Sequence, residues 1–221
     1  MFRSFRTAWR NIVNPVTAAE AFEMALGVGE FEAPDPNVPG LELPGFASAL
    51  EAQGALAGLV LAARNEMEPG DPLPNELLRQ YTTWVVMHEV GHTLGLQHNF
   101  RSSASTPMDQ LHNTSFTGEN GVYSSVMEYP TVNLAPPGER IGDYYTYNAG
   151  SYDRWAISYA YTQNQDDAND IARGVSDLRH MYGNEFGGSG ALDPTINQYD
   201  LGADPLEWGA ERSALIRDLL P

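Results

Sequence analysis

The chain has 221 residues and a formal net charge of −17, and its 12 basic residues are all arginine. So acidic a surface repels phosphate backbones and anionic lipids, which argues against nucleic-acid binding. The absence of cysteine excludes thiolate nucleophiles, cysteine zinc sites and disulfides, and no apolar run approaches the ~18 residues that membrane insertion of a helix requires.

The predicted secondary structure is helical, with only weak strand signals and no internal repeat. Apolar periodicity and capping residues predict helices at residues 1–29 (one or two short ones), 46–66, 75–95, 152–161, 166–181 and 205–220. Proline, glycine and polar residues predict connections at 30–45, 67–74, 99–150 and 183–204. The longest of these connections is of the length that usually has a function in a compact domain. The fold class of this segment is therefore mostly α.

The predicted linker divides the chain into residues 1–45, which contain the N-terminal helices and the linker, and residues 46–221, which we expect to form one domain. Residues 1–20 have no apolar segment of the kind found in a secretory signal. The sequence alone leaves the compartment and the oligomeric state open.

The most informative segment lies at the end of the helix predicted for 75–95 and reads HEVGHTLGLQH over residues 88–98. His88 and His92 are one helical turn apart, so both imidazoles project from the same face and can bind one ion. Gly95 allows a positive φ, with which the chain leaves the helix and doubles back to deliver His98 as a third ligand. Three neutral imidazoles leave the fourth position of a tetrahedral Zn²⁺ open for water, as in catalytic sites.

Glu89 follows His88, about 100° round the helix, where its carboxylate reaches a water on the ion without being a ligand. This position predicts a general base that activates the water for hydrolysis. The alternative is an ordinary buried helix with hydrogen-bonded histidines, which explains H-E-x-x-H alone. Gly95 and His98 stand at the further positions that the longer motif requires, and three of the five histidines lie within these eleven positions. Both observations favour the zinc site.

At these residues the chain resembles the metzincin clan of zinc peptidases, whose members have a Met-containing turn below the metal. The candidate turn is SSVMEYP at residues 124–130. The resemblance implies that Met127 forms an apolar floor under the imidazoles without binding the metal; the alternative is a simple core methionine. For Tyr129 it implies a removable extra ligand or a group that stabilises the oxyanion.

A closer similarity is to the catalytic C-terminal half of large bacterial zinc-dependent metalloproteases, which have domains of unknown function upstream and are usually exported. It is carried by HEVGHTLGLQHNFRSSAS, SVMEYP, YDRWAISYAY and DLGADPLEW, within residues 74–208. Metzincins place a twisted sheet before the zinc helix, whereas residues 1–74 are predicted to be helices and loops. We therefore expect a metzincin-like α+β zincin whose N-terminal sheet is reduced, absent or encoded upstream, in a chain that is part of a longer protein.

The resemblance and the motif together predict a zinc metallopeptidase with a peptide or protein substrate. Two alternatives stay open: a zinc hydrolase that acts on a non-peptide bond, because the motif fixes the activation of water and not the substrate, and a non-catalytic zinc-binding module. An intact Glu89 argues against the module, because a structural zinc site needs no base.

Two weaker features are predicted not to be functional sites. The acidic loop that contains Asn184, Asp193, Asp200 and Asp204 offers oxygen ligands for Ca²⁺, but it lacks the regular spacing of a calcium loop, so a solvated loop is preferred. His112 and His180 are isolated, and we expect them to be surface or hydrogen-bonded residues.

Overall fold

The computed structural model describes residues 44–68, 71–184 and 193–219. Its α-helices are α1 Pro44–Ala63, α2 Asn75–Thr93, α3 Thr114–Asn120, α4 Ser151–Tyr161, α5 Gln165–Ala172 and α6 Pro205–Arg217. Short 3-10 turns lie at Ser103–Ser105, Met108–Gln110, Arg173–Ser176 and Leu178–His180. These three ranges contain no β-strand, so the prediction of a mostly α segment is confirmed.

Some predicted segments lie outside the residues that the structure describes. They are the helices and linker predicted for residues 1–43, and residues 185–192 of the acidic loop. Among the helices that are described, none has both the length and the hydropathy needed to cross a bilayer.

The chain divides into two compact units, residues 1–78 with 218–221 and residues 79–217. The division predicted at residue 45 from the linker stays a prediction. In the first unit, α1 begins at Pro44, inside the predicted linker, because the fixed φ of proline suits the first turn of a helix. The helix ends where Asn65 adopts a φ of 57° and the N–H of Glu66 donates to the carbonyl of Leu61 at 2.9 Å, a left-handed cap that asparagine tolerates.

The end of α2 determines where the chain goes next. Gly95 has a φ of 90°, its N–H donates to the carbonyl of His92 at 3.1 Å, and the N–H of Leu96 donates to the carbonyl of Gly91 at 3.0 Å. These two bonds form a Schellman turn, which satisfies the last carbonyls of the helix. The helix predicted for 75–95 is confirmed to within two residues.

Two predicted segments differ from the structure. The helix predicted for 166–181 is wrong beyond Ala172, because the carboxylate of Asp177 accepts the N–H of Arg179 at 2.9 Å and starts a separate 3-10 turn. The segment 99–150, predicted as a connection, contains α3. That helix starts because the side chain of Asn113 accepts the N–H groups of Ser115 and Phe116, a capping signal that the prediction missed.

The second unit has a core in which polar groups are buried beside aromatic ones. Four large residues each expose at most 1% of their surface: Trp84, Phe100, Tyr123 and Met127. Buried carboxylates and amides join the irregular segment to the helices.

One such junction is at Asp143. Its carboxylate accepts Nε2 of Gln80 at 2.9 Å and the hydroxyl of Thr117. The Gln80 Oε1 atom in turn accepts the N–H groups of Tyr144 and Tyr145 at 2.7 and 3.1 Å. The result is a network that ties α2 and α3 to the loop before α4.

A second junction contains two buried carboxyl groups, Glu128 and Asp200. Glu128 accepts the hydroxyl of Ser102 at 2.8 Å and the N–H groups of Ser103 and Tyr129 at 3.1 and 3.0 Å. Burial, and then the charge of Asp200, raise the pKa of Glu128 well above its usual value. Burial raises the pKa of Asp200 to about 6, against the opposing effect of the Ser103 side chain.

Asp143→Ala tests the first junction. It removes both oxygens, so the buried Nε2 group of Gln80 loses its acceptor. We expect the free energy of unfolding to fall by about 1–3 kcal/mol, as measured by urea denaturation followed by circular dichroism. The exposed Asp109→Ala is the control and should stay within about 0.5 kcal/mol of the wild type. An Asp143→Ala variant as stable as the control would contradict this account.

Asp200→Asn tests the second junction through pH. Because the folded protein holds the Asp200 proton up to about pH 6 and the unfolded chain only to about 3.8, this group favours the folded state most below pH 3.8. Its contribution is lost as the pH rises through 6. The variant has no charge to bury, so we expect thermal unfolding to show a smaller loss of stability from pH 4 to pH 7 than in the wild type. Parallel curves for the two proteins would exclude this role.

Candidate metal centre

Helix α2 and the turn after it bring three imidazoles together. The ring centroids of His88 and His92 are 4.8 Å apart, and the centroid of His98 lies 5.3 Å from the first and 4.8 Å from the second. One ring nitrogen from each lies within 4.8 Å of the others. Within the described ranges, this is the only group of three or more acidic or histidine side chains positioned to hold a metal ion.

Backbone carbonyls orient two of the rings. Nδ1 of His88 lies 2.7 Å from the carbonyl oxygen of Val126, and Nδ1 of His92 lies 3.1 Å from that of Leu96. A carbonyl oxygen only accepts, so in the neutral rings both Nδ1 atoms carry the proton and both Nε2 atoms carry the lone pair that a metal binds. Such outer contacts fix the tautomer and the orientation of a metal-binding histidine.

The environment keeps two of the imidazoles neutral. Burial, and then the neighbouring His92 and His98 rings, lower the pKa of His88 to about 3, against the opposing effect of its hydrogen bond with Val126. Burial and then His92 lower the pKa of His98 to about 4. A metal binds the neutral ring, so His88 and His98 are in the ligand form at neutral pH.

The separation of the nitrogens fits a zinc ion. Two nitrogens that share a tetrahedral Zn²⁺ at ~2.1 Å are about 3.4 Å apart, and the Nε2 atoms of His92 and His98 are 3.1 Å apart. The donor set is three histidines, which is typical of a zinc site with an open position. His88, His92 and His98 are therefore the residues that would hold the ion.

The candidate base follows the first of these histidines along α2. Glu89 is exposed, whereas His88 is buried. A carboxylate at this position is accessible to water, as a general base for hydrolysis must be.

Met127 lies against the turn of α2 that contains Gly91, and the resemblance predicts it as the apolar floor of the site. Its side chain is fully buried, and its sulfur lies 2.4 Å from the point that a Cβ atom at Gly91 would occupy. Gly91 therefore leaves the space that Met127 fills between His88 and His92. The sequence analysis did not single out Gly91, although a glycine inside a helix, where it costs stability, was a usable signal.

The ring of Tyr129 lies over the histidines. Its centroid is 4.5 Å from that of His98 and 5.5 Å from that of His88. Phe100 and Tyr199 lie against the same ring, at 5.3 and 6.4 Å. Neither neighbour was predicted, because nothing in the local sequence shows that a residue 70 positions later stacks on Tyr129.

The N–H of Tyr199 donates to the carbonyl of Tyr129 at 2.8 Å, and Tyr199 has a φ of 63°. A bulky residue adopts this left-handed conformation at a cost in energy.

The acidic side chains considered for Ca²⁺ do not converge on one point. Asp193 pairs with Arg101 and accepts the hydroxyl of Thr195. Asp204 caps α6 by accepting the N–H groups of Leu206 and Glu207. The amide of Asn184 donates to the hydroxyl of Tyr182, and Asp200 lies beside Glu128. A calcium site is therefore not formed by these four residues.

The two isolated histidines lie outside the cluster. Nδ1 of His112 accepts the N–H of Gly142 at 3.4 Å. Nδ1 of His180 lies 2.8 Å from the carbonyl of Gly174, and its ring stacks on Trp155 at 5.0 Å. Both have hydrogen-bonding roles away from the metal centre.

Gly91→Ala tests the packing of Met127 below the histidines. The new methyl group overlaps the Met127 sulfur, so we expect a loss of about 1–3 kcal/mol in the free energy of unfolding and weaker zinc binding. Gly209→Ala is the matched control, because α6 leaves nothing within 4 Å of its new Cβ atom. It should stabilise the protein slightly. Equal stability of the two variants in calorimetry would show that the contact is unimportant.

Comparison with known proteins extends these observations. The family model described as Met-zincin (DUF4953) matches residues 70–221, which is more than half of the chain. No curated protein and no solved structure matches the chain significantly. The matched range contains the three histidines, Glu89 and the Met127–Tyr129 turn, and it confirms the relation to the metzincin clan. This chain belongs to the Met-zincin family.

Proposed function

We propose that this chain hydrolyses peptide bonds in a zinc-dependent reaction, with a peptide or protein as substrate. The observation that carries the proposal is the convergence of the ring nitrogens of His88, His92 and His98 next to the exposed carboxylate of Glu89. Membership of the Met-zincin family supports it, because that description implies a zinc metallopeptidase.

In this proposal the residues of the site have separate roles. A zinc ion held by His88, His92 and His98 would polarise a carbonyl group and lower the pKa of water to near neutrality. Glu89 accepts a proton from a water molecule in the site and then delivers it to the nitrogen of the leaving amine. The carbonyls of Val126 and Leu96 orient His88 and His92 through their Nδ1 atoms.

Three further residues have supporting roles in this proposal. The hydroxyl of Tyr129 stabilises negative charge that develops on the substrate oxygen, in keeping with its ring lying over His98. Met127 provides the apolar floor below the histidines. Gly95 provides the turn that delivers His98.

Glu89→Gln tests the role of the base. The amide cannot accept the proton, so we expect proteolysis to fall by at least about a hundredfold, while zinc stays bound at one ion per chain. Digestion of casein or a peptide library, with zinc measured by plasma mass spectrometry, gives both quantities. The exposed Glu119→Gln in α3 is the control and should keep full activity. A Glu89→Gln variant as active as the control would exclude Glu89 as the base.

The same assay on the wild-type chain separates the proposed function from its alternatives. Bound zinc with cleavage that stops when a chelator is added supports a peptidase. Bound zinc without cleavage of any peptide points to a hydrolase for another bond or to a non-catalytic module. A chain that binds no zinc would contradict the proposal and both alternatives.

A further inference from the structure

We propose that Asp153 is a positioning residue for the metal centre: its carboxylate holds Val126 in place, and the carbonyl of Val126 orients His88. This inference rests on the proposed function, because it concerns the same three-histidine site. Asp153 lies in the first turn of α4, 65 positions after His88, and it contacts no metal ligand directly.

The carboxylate of Asp153 is buried, with 4% of its surface exposed, and it accepts three hydrogen bonds. The hydroxyl of Ser125 donates to Oδ1 at 2.7 Å. The N–H groups of Val126 and Gly150 donate to Oδ2, both at 2.8 Å. The two N–H groups can only donate, so they need an acceptor oxygen at this position, whereas the Ser125 hydroxyl can donate or accept.

Both backbone polar groups of Val126, its N–H and its carbonyl, are hydrogen-bonded to side chains. Its N–H is bound by Asp153, and its carbonyl accepts Nδ1 of His88 at 2.7 Å and Nε1 of Trp84 at 3.0 Å. One residue thus connects α4 to α2, with a carboxylate at one end and a candidate metal ligand at the other. A shift of Val126 would move the acceptor that fixes the tautomer and orientation of His88.

The helix that carries Asp153 is itself fixed against the turn. The N–H of Tyr152 donates to the carbonyl of Ser124 at 2.9 Å. A Cβ atom on Gly150 would lie 1.9 Å from that same carbonyl oxygen, so only glycine allows the approach. Because this close contact sets the position of α4, Asp153 has a defined place from which to hold Val126.

The positioning role of Asp153 can be distinguished from a contribution to stability alone. Any buried carboxylate that loses its partners destabilises the fold, but only one that holds Val126 should also alter metal binding. The chain offers a matched comparison in Asp143, which is likewise buried and accepts hydrogen bonds from Gln80 and Thr117. These partners are not part of the segment 124–127.

The experiment compares Asp153→Ala with Asp143→Ala in the full chain, because alanine offers no acceptor to the N–H group of Val126. Zinc affinity is measured by competition with a chromophoric chelator, and the site is also loaded with Co²⁺ for its visible absorption spectrum. We expect Asp153→Ala to lower zinc affinity by about tenfold or more and to change the Co²⁺ spectrum. Asp143→Ala should lose stability but keep the affinity within about twofold and leave the spectrum unchanged. Asp153→Ala with wild-type affinity and spectrum would overturn the inference.

A milder variant decides the matter if Asp153→Ala does not fold. Asp153→Ser keeps a small polar side chain, but its hydroxyl is too short to take the place of the oxygen that accepts the N–H of Val126. We expect its zinc affinity to fall by more than about twofold, and wild-type affinity would overturn the inference.

These readouts are separate from the test of the proposed function. A wild-type chain that binds zinc without cleaving peptides refutes the peptidase proposal, and the affinity comparison still decides the role of Asp153. A wild-type chain that cleaves peptides, with full zinc affinity in Asp153→Ala, refutes only the positioning role. A wild-type chain that binds no zinc refutes both.

Discussion

The reversal of the chain after α2 is the constraint on which the metal centre depends. Gly95 has a φ of 90°, which residues with a side chain adopt only with strain, and two backbone hydrogen bonds close the turn. The turn places Nε2 of His98 at 3.1 Å from Nε2 of His92. Its Leu96 carbonyl also holds Nδ1 of His92. The same few residues therefore supply one imidazole and orient another.

Buried carboxylates organise the irregular segment around this turn. Buried backbone N–H groups need acceptors, and the described part of the chain has no sheet to provide them. Glu128 accepts two backbone N–H groups and Asp153 another two. A buried charge is costly unless it is hydrogen-bonded, and these donors offset that cost. The arrangement explains how a segment with few regular elements presents Met127 and Tyr129 at defined positions.

The sequence predicts the parts of the site that obey local rules. The helical repeat places His88 and His92 on one face, and the helix-ending glycine accounts for the return of His98. Contacts between distant segments are beyond such rules. The hydrogen bond that the N–H of Val126 donates to Asp153 joins residues 27 positions apart, and the stacking of Tyr199 on Tyr129 joins residues 70 positions apart. The break after Ala172 was missed because the competing Asp177 cap lies within a run that also favours a helix.

The central claim is that three imidazoles of this chain share one zinc ion with an open position. X-ray absorption at the zinc edge of the zinc-loaded protein tests it most directly, because the extended fine structure reports the number and type of atoms around the metal. The account predicts three imidazole nitrogens and one further light ligand at about 2.0–2.1 Å. A shell with only one imidazole, or one dominated by carboxylate oxygens, would contradict it.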